Sequence, residues 1–483
     1  MLDQLEPKLL WHHFAQICRI PHPSYHEEAL IQQLEAFAEQ QQLEHFRDRA
    51  GNLIIRKPAS LGCEQAPGVI LQSHVDMVPQ KTDDSGHDFQ RDPIQPRIVD
   101  GWVHATDTTL GADNGIGVAA SLAALESTEL RHGPLEALFT INEESGMDGA
   151  KGLEPGRLQG ELLLNLDSEQ EGELYVGCAG GIDASARLPL QRQALNPDQT
   201  GLQLIVRGLA GGHSGLDIHL GRGNANQLLA GLLQQLGQQF ELQLIDFRGG
   251  TLRNAISRRA EALIAVPSSQ CEQFRAALEP LKQKLIEQFQ QVEPQLAIGL
   301  LEEPLDNETA LDADSYQRLI EAILACPHGV ERMHPDLDGV VETSNNLAAV
   351  RVAEQSAELQ CLARSAIEAQ RDKLCQRISQ QLTPFGADCH FDGAYPGWSP
   401  QLNSPLLATL QQVHQQQFGQ PAEVMVIHAG LECGLLQTAY PNWQMISFGP
   451  TIRFPHSPGE KVEIASVERF WDYLGAVLKA LAD

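Results

Sequence analysis

The stretch LFTINEESGMDGA, Leu138 to Ala150, indicates how the chain is organised. An apolar run from Leu135 to Ile141 predicts a buried strand, and two adjacent carboxylates, Glu143 and Glu144, follow it after a single residue. Two like charges side by side repel each other, and either a bound cation or solvent can offset that repulsion. The residues that follow the other predicted strands decide which of the two applies.

The composition is that of an ordinary globular protein with a strongly acidic surface. The chain has 483 residues, more than one hydrophobic core usually organises, so we expect two domains or one elaborated domain. It carries 63 acidic and 34 basic residues, a formal net charge of -29. Nucleic acids and anionic membranes are bound by clustered Lys and Arg, so this balance argues against both as partners.

Cysteine usage and the N-terminal segment predict a cytoplasmic protein. The nine cysteines form no CxxC pair and no disulfide framework, which is typical of thiols in a reducing compartment. The segment MLDQLEPKLLWHHFAQICRI has early acids and no continuous apolar core, so it does not resemble a secretory signal. No stretch approaches the ~18–20 apolar residues that a membrane-spanning helix requires.

Predicted strands and helices alternate in the first part of the chain and again near its end. Strand patterns such as GVILQSHVDMV and LEALFTI are separated by the small-residue helix GIGVAASLAALEST, an order typical of a mixed, mainly parallel sheet covered by helices. Between these parts, amphipathic strands and long Gln-rich helices indicate an α+β domain. We therefore predict an α/β protein with a discontinuous domain, 1–181 and 394–483, and an inserted domain, 182–393.

Histidine and acidic residues recur where predicted strands of the first domain end and near the C-terminus. They are His74, Asp76, Asp113, Glu143, Glu144, Asp167 and His456. Sites in open α/β sheets gather at the carboxyl ends of the strands. Imidazoles and carboxylates together suit Zn²⁺ or a similar divalent ion, and a shared carboxylate could hold two ions. Two such ions can clamp a hydrolytic water and polarise a carbonyl group.

The spacing of these residues suggests how they divide the work. His74 and Asp76 stand two apart, so on one strand both would point to the same side, and Asp76 could hold the His74 imidazole. Glu143 and Glu144 project differently, so one could bind metal while the other takes a proton from water. Each acid alone could equally be a helix cap or a loop residue. Their recurrence favours the metal site.

Competing motifs are weaker. The stretch GIGVAA, Gly115 to Ala120, fits the GxGxxA dinucleotide pattern, but DTTLGADN separates it from the preceding strand, which favours helix packing instead. The stretch GGHSGLD, Gly211 to Asp217, could be a turn or a phosphate-binding nest. The chain contains no HExxH, GxSxG or P-loop motif.

The motifs HVDMVP, LGADNGIG, NEESGMDGA, LNLDSE and HSPGE occur in the order and spacing of the M20 metallopeptidases, and the resemblance covers nearly the whole chain. The stretches IPHPSYHEE, GGHSGLDIHLGRGNAN and HAGLECG resemble the branch of cytosolic aminoacyl-histidine dipeptidases. The resemblance implies two divalent ions, Zn²⁺ with Co²⁺ or Mn²⁺ as alternatives. One ion would be bound by His74, Asp113 and Asp167, and the other by Asp113, Glu144 and His456.

The resemblance also implies roles for residues that do not bind metal. Asp76 would orient His74, Glu143 would be the general base, and the Asp113–Asn114 peptide would be cis. The inserted domain would be a lid that also forms a homodimer. In it, His213 would stabilise the reacting oxyanion, and Asn254 and Arg364 would contact the substrate carboxylate. Gly430 would line the substrate pocket.

The sequence therefore predicts a di-zinc dipeptidase that hydrolyses dipeptides with free termini, notably Xaa-His dipeptides of the carnosine type. An acyl-amino-acid deacylase of the same superfamily is the nearest alternative, and it would prefer a capped amine. A metal-binding scaffold without turnover is an alternative of a different class, but Glu143 beside Glu144 argues against it. A nucleotide-linked oxidoreductase is the weakest alternative.

Overall fold

The computed structural model describes residues 2–305 and 309–483, which form two compact units. The second unit comprises Ala179–Gly397 and Ile427–Gly430, and the first comprises the other described residues. The sequence prediction put the inserted domain at 182–393, a range that includes residues 306–308 outside the described ones, and assigned 427–430 to the first domain. The structure groups these four residues with the second unit, in which the Ala179 N–H donates to the Ile427 carbonyl and Ser344 bonds to His428.

The helices and strands follow one another along the chain in three segments. The first segment contains α1 (Lys8–Ile17), α2 (Glu28–Gln40), β1 (Glu44–Arg47), β2 (Leu53–Lys57), β3 (Val69–His74), β4 (Pro96–Val99), β5 (Trp102–Ala105), α3 (Ala112–Glu126), β6 (Leu135–Thr140), α4 (Glu143–Gly146), α5 (Asp148–Gly152), β7 (Leu162–Asn165) and β8 (Glu173–Cys178). The second contains β9 (Gly180–Pro189), β10 (Arg192–Ala194), β11 (Gln199–Arg207), α6 (Ala225–Gly237), β12 (Gln243–Gly249), β13 (Ala260–Pro267), α7 (Cys271–Phe289), β14 (Ala297–Glu303), β15 (Thr309–Leu311), α8 (Ala313–Ala325), β16 (Gly329–Met333), β17 (Val341–Val352), β18 (Ser356–Ser365), α9 (Glu368–Leu382) and β19 (Asp388–Tyr395). The third contains α10 (Pro405–Phe418), β20 (Glu423–Ile427), α11 (Glu432–Ala439), β21 (Gln444–Ser447), β22 (Ile452–Arg453), β23 (Lys461–Glu463) and α12 (Ile464–Ala482).

The first unit is built on an eight-stranded sheet in the order β1-β2-β6-β3-β7-β21-β8-β20. The four central strands, β6, β3, β7 and β21, run parallel, and antiparallel pairs flank them. Every residue of β3, β6 and β7 is buried, as expected for strands covered on both faces. This is the mixed, mainly parallel α/β sheet that the sequence predicted.

The stretch GIGVAA lies inside α3, which is buried along almost its whole length. A Cβ on Gly115 would stand 3.0 Å from the Phe14 ring of α1, and one on Gly117 would stand 2.8 Å from the Leu166 carbonyl oxygen. The small residues therefore serve close packing of this helix, as we expected in preference to a nucleotide-binding turn.

The second unit contains two βαββαβ modules. One consists of β11, α6, β12, β13, α7 and β14, with the strand order β14-β11-β13-β12. The other consists of β9, α8, β17, β18, α9 and β19, with the mirrored order β17-β18-β9-β19, and the first module is inserted between its β9 and α8. Strands β12 and β17 pair antiparallel, Arg248 opposite Arg351, so the modules share one continuous sheet.

The core of the second unit lies between this sheet and its helices. Ala260, Ala262 and Ile264 alternate along β13 toward the core, where they belong to the same buried cluster as Leu229 and Leu233 of α6. The residues between them, such as Glu261, face the other side of the sheet, as the two-residue period of a strand requires. Among the described residues, no helix is both long enough and apolar enough to cross a membrane.

Candidate metal centre

The predicted metal ligands of the first unit stand at the carboxyl edge of its parallel strands. His74 is the last residue of β3, and Glu143, Glu144 and Asp167 follow closely after β6 and β7. Asp113 is the second residue of α3, and the Asp113–Asn114 peptide bond is cis, as the family resemblance implied. This edge is where the ends of parallel strands converge, so side chains far apart in sequence meet there.

One group of candidate ligands surrounds the His74 imidazole. Its Nε2 lies 3.2 Å from Asp113 Oδ1 and 3.4 Å from Asp167 Oδ1. His74, Asp113 and Asp167 each offer a ligand atom within 4.8 Å of the others. The His74 and Asp167 side chains are almost fully buried, and that of Asp113 is 11% exposed.

A second group shares Asp113 with the first. His456 Nε2 lies 3.1 Å from Asp113 Oδ2 and 2.8 Å from Glu144 Oε1. The two oxygens of Asp113 thus face different imidazoles, which is the arrangement a bridging carboxylate needs. A third group, His74 with Glu143 and Glu144, also meets the 4.8 Å distance, so geometry alone admits Glu143 as a ligand too.

Asp76 contacts both His74 and the turn that carries Glu143 and Glu144. It does so from the loop after β3, not from the strand itself. Because β3 ends at His74, the prediction that the two residues share a strand is wrong. Asp76 Oδ1 lies 3.4 Å from His74 Nδ1, and its main-chain oxygen lies closer, at 3.0 Å. Its carboxylate accepts hydrogen bonds from the N–H groups of Glu143 and Glu144 at 2.9 and 3.2 Å and from the Ser24 hydroxyl at 2.7 Å. Holding Nδ1–H in this way leaves His74 Nε2 available as a metal ligand.

Two buried acids outside the predicted set also support the turn that carries the glutamates. Asn142 begins it with a positive φ of 52°, which few non-glycine residues adopt. The Glu27 carboxylate accepts the Asn142 N–H at 3.0 Å, and the Asn142 side-chain oxygen accepts the Tyr25 N–H at 2.6 Å. Glu432 accepts hydrogen bonds from Gln72 of β3 and Thr140 of β6 at 2.6 and 2.7 Å, beneath the same edge of the sheet.

Glu460 holds the segment that presents Asp113. Its buried carboxylate accepts hydrogen bonds, 2.7–3.2 Å long, from four successive main-chain N–H groups, those of Leu110, Gly111, Ala112 and Asp113. Glu27, Glu432 and Glu460 all stand in motifs that carried the family resemblance. The motif was the only signal for them in the sequence, because each contacts residues more than a hundred positions away.

The electrostatics of the cluster fit a bound cation. Burial raises the pKa of Glu143 well above its ordinary value and raises that of Asp167 to about 8, and neighbouring acids act in the same direction. Although burial opposes it, the carboxylates of Asp113 and Glu144 raise the pKa of His456 to about 11. Buried acids that favour a proton also favour a metal ion, which would replace the imidazolium charge and take neutral imidazoles as ligands. The donor set, imidazole nitrogen and carboxylate oxygen, suits Zn²⁺ and related ions.

The second unit brings two of its predicted site residues together. Arg364 Nη2 lies 3.5 Å from His213 Nε2, and the guanidinium donates hydrogen bonds to the Tyr395 hydroxyl at 2.7 Å and the Ser214 hydroxyl at 3.3 Å. Arg364 is only 4% exposed, yet it forms no ion pair with a carboxylate of any described residue. A buried guanidinium with neutral partners retains its attraction for an anionic group.

The hydrogen bonds of His213 fix its tautomer. The N–H groups of Gly215 and Leu216 point at His213 Nδ1, at 3.2 and 3.0 Å. Since Nδ1 is the acceptor, the neutral ring carries its proton on Nε2. Burial and the nearby Arg364 lower the pKa of His213 to about 4, so the ring is neutral at pH 7. His213 and Arg364 therefore present two donors side by side.

The other two predicted residues of the second unit belong to segments that contact the chain next to His213. The Asn254 carbonyl accepts a hydrogen bond from the Ser214 N–H at 2.8 Å, while Asn254 itself is exposed. Gly430 belongs to the segment Ile427–Gly430, in which the His428 carbonyl oxygen would lie 1.8 Å from a Cβ on Gly215. Gly215 is thus required for the close approach of the two segments.

Comparison with known proteins gives concordant matches along the chain. A family model described as Peptidase family M20/M25/M40 matches residues 70–480. The chain is 46% identical over 480 residues to the cytosol non-specific dipeptidase of Escherichia coli (strain K12), covering 99% of both proteins. It is 47% identical to the crystal structure of aminoacylhistidine dipeptidase from Vibrio alginolyticus, with a TM-score of 0.90 over 99% of this chain and 98% of that one. Aminopeptidase PepT from Bacillus cereus ATCC 10987 shares the fold, with 15% identity and a TM-score of 0.58 over 99% of this chain and 100% of that one.

Proposed function

Because this chain belongs to the M20/M25/M40 peptidase family, we propose that it is a metal-dependent dipeptidase. The observation that carries the proposal is the pair of ligand groups that share Asp113, with Glu143 beside them. A scaffold that only stored metal would have no use for a further buried carboxylate next to the ligands. Glu143 gives the site a group that can exchange protons with substrate and water.

The metal ions are proposed to lie in these two groups. His74, Asp113 and Asp167 would hold one, and Asp113, Glu144 and His456 would hold the other. Bound divalent ions polarise a carbonyl group and lower the pKa of water. Zn²⁺ is the ion we propose, because the imidazole–carboxylate set matches its preferences, and Co²⁺ and Mn²⁺ accept the same ligands.

The protein's own groups would handle the protons of the reaction. Glu143 accepts a proton from the water that attacks the scissile carbonyl, and it donates that proton to the leaving amine as the C–N bond breaks. Asp76 supports this role because it accepts the main-chain N–H groups of both glutamates and so fixes the turn. Asp76 also has a hydrogen-bonded contact with His74. It would therefore hold the general base, Glu143, at a constant distance from the metal ligand His74.

Recognition of a short substrate is proposed for the second unit. Every dipeptide with a free C-terminus presents a carboxylate, which the planar guanidinium fork of Arg364 can bind with two parallel hydrogen bonds. His213, with its proton on Nε2, is suited to donate to the oxygen that gains negative charge during attack. Asn254 and Gly430 are proposed as further substrate contacts.

We also propose which dipeptides the enzyme hydrolyses and in which compartment it acts. We propose Xaa-His dipeptides as substrates, following the name of the Vibrio relative, although the name of the E. coli relative describes a non-specific dipeptidase. We propose the cytoplasm as the compartment, since all nine cysteines are free thiols and the E. coli relative is named for the cytosol. Homodimerisation through the second unit stays a prediction. Since β12 and β17 pair with each other, β14 and β19 are the edges of that sheet open to a second copy.

A dipeptide panel tests the proposal. Purified enzyme loaded with Zn²⁺ is given Ala-His, β-Ala-His, Ala-Ala, the N-acetylated and C-amidated forms of Ala-His, and the tripeptide Ala-Ala-His. We expect hydrolysis of the free dipeptides and little of the capped or longer peptides. Preferential cleavage of the N-acetylated substrate would contradict the proposal, and so would the absence of hydrolysis across the panel.

A further inference from the structure

The junction of the two βαββαβ modules places two arginines directly opposite each other. Arg248 of β12 and Arg351 of β17 are register partners, and like charges in directly opposed positions of antiparallel strands repel. Glu261 stands on the other side of Arg248, and Glu358 on the other side of Arg351. In a chain whose net charge is -29, this adjacency is not a by-product of a basic composition.

The acids nearby do not balance the arginines. Arg248 and Arg259 both pair with the one carboxylate of Glu261. Arg351 donates only a long hydrogen bond, 3.4 Å, to the Gly250 carbonyl, and it forms no ion pair with a described carboxylate. Arg258 has no ion pair or hydrogen bond with any described residue. Of these four guanidinium groups, two therefore pair with the same carboxylate and two pair with none of the described carboxylates.

These side chains line one cavity of about 530 Å³ in the second unit. Arg248, Arg258, Arg259 and Arg351 stand on its wall with Glu261, while Glu358 does not. The volume lies in the range of small-molecule sites. The cavity thus combines room for a ligand with an uncompensated positive charge.

We propose that this cavity binds a small phosphorylated anion. A phosphoryl group has enough acceptor oxygens to engage several guanidinium forks at once, whereas a carboxylate has only two oxygens. Such an anion would bridge the two modules at β12 and β17 and remove the repulsion between Arg248 and Arg351. None of the residues that line the cavity is among those proposed for peptide hydrolysis, although Gly212 and Ala255 adjoin His213 and Asn254 in the chain. The inference does not depend on the proposed function.

Calorimetric titration of the metal-loaded enzyme with inorganic phosphate at low ionic strength tests the proposal. The matched proteins are wild type, the double variant Arg258→Gln/Arg351→Gln, and Arg187→Gln. Arg187 is an exposed arginine of β9 on the same face of the sheet, but it lies outside the cavity. Any phosphate held at the metal centre is retained by all three proteins, so the difference between them isolates the cavity.

We expect wild type and Arg187→Gln to bind one phosphate per chain that the double variant binds about tenfold or more weakly, the loss expected for two charge-assisted contacts. Without phosphate, the double variant should unfold at the same temperature as wild type or higher, because the like-charge contact is gone. Glycerol 3-phosphate in place of inorganic phosphate tells a phosphomonoester ligand from the free ion. Equal phosphate binding by wild type and the double variant would overturn the proposal, and so would a response that chloride reproduces at equal ionic strength.

Discussion

The turn with Glu143 and Glu144 in the first unit and the junction of β12 and β17 in the second, with Arg248 and Arg351, both place like charges side by side. The two acids lie next to a buried strand, whereas the two arginines are exposed. Glu143 and Glu144 follow a fully buried strand, and burial raises the pKa of both. Arg248 and Arg351 are exposed at the face of a sheet. Water screens the arginines, so their repulsion is small, whereas the acids cannot all remain charged without a cation close by.

Substitutions in the buried acidic cluster should therefore have larger effects than substitutions among the exposed arginines. Removing an acid from the buried cluster would remove a proposed metal ligand or the proposed general base, and water would not replace either. Changing an arginine of the second unit should weaken the binding of its ligand only in part.

The largest effect is expected for Asp113→Ala. The two oxygens of Asp113 face the two imidazoles, so its removal should cost both metal ions and lower kcat/KM by about 10⁴-fold or more, ~5.5 kcal/mol of transition-state stabilisation. Metal analysis and dipeptide hydrolysis measure the two losses. The control is Asp148→Ala, an acid of the neighbouring α5 outside the ligand groups. Retention of two ions by Asp113→Ala would show that Asp113 is not shared.

The next effect separates the adjacent glutamates. Glu143→Gln should keep both ions and lower kcat by about 10²–10⁴, the usual contribution of a positioned acid–base group. Glu144→Gln should lose metal as well as activity, because Glu144 stands 2.8 Å from His456. Equal metal content and equal rates in the two variants would show that the division of roles is wrong. Loss of metal from Glu143→Gln would instead assign Glu143 to the third ligand group.

A smaller effect is expected for Arg364→Lys. A lysine keeps the charge but not the planar fork, so KM for dipeptides should rise roughly tenfold, ~1.4 kcal/mol, with metal content unchanged. C-amidated dipeptides, which lack the carboxylate, should be poor substrates of wild type and should be hardly affected further by the mutation. An equal penalty on free and amidated substrates would show that Arg364 does not bind the carboxylate.

A change in the pH dependence of stability, rather than in catalysis, is expected for His428, which is buried beside Ser344. Burial, with Arg364 and His213 nearby, lowers its pKa to about 3, below the ~6.5 of an unfolded chain. Below pH 6.5 the unfolded state therefore binds more protons than the folded state, and stability falls as pH drops toward 3. His428→Gln should reduce this slope by up to about 1.4 kcal/mol per pH unit. Urea unfolding at pH 4.5, 5.5 and 6.5 measures it, and identical slopes in both proteins would contradict the prediction.

The sequence was most informative about the candidate site residues that stand at the ends of predicted strands. The parallel sheet could be predicted because apolar runs such as Val69 to His74 alternate with helical patterns, and the acids after each run mark the carboxyl edge. The spacing of His74 and Asp76 misled, because the strand stops at His74 and the loop, not the pleat, positions Asp76. Strand patterns do not indicate the residue at which a ladder ends.

Contacts between distant segments could not be predicted from local patterns. The Glu460 carboxylate accepts hydrogen bonds from main-chain N–H groups at and before Asp113, more than three hundred residues away in the sequence. The residues next to Glu460 in the sequence do not indicate those partners. The joining of the two modules into one sheet depends on the pairing of β12 with β17, which local sequence patterns do not indicate. The segment Ile427–Gly430 likewise belongs to the second unit through contacts between distant segments, such as the hydrogen bond between Ser344 and His428.

Metal removal and reconstitution test whether hydrolysis requires two bound ions. The enzyme is stripped with a chelator, verified metal-free by elemental analysis, and titrated with Zn²⁺ while hydrolysis of Ala-His is followed. We expect no hydrolysis without metal and full recovery at two ions per chain, since the ligand groups around His74 and His456 are both required and share Asp113. Full activity in the metal-free protein would contradict the account, and so would saturation of activity at a single ion with no second ion bound.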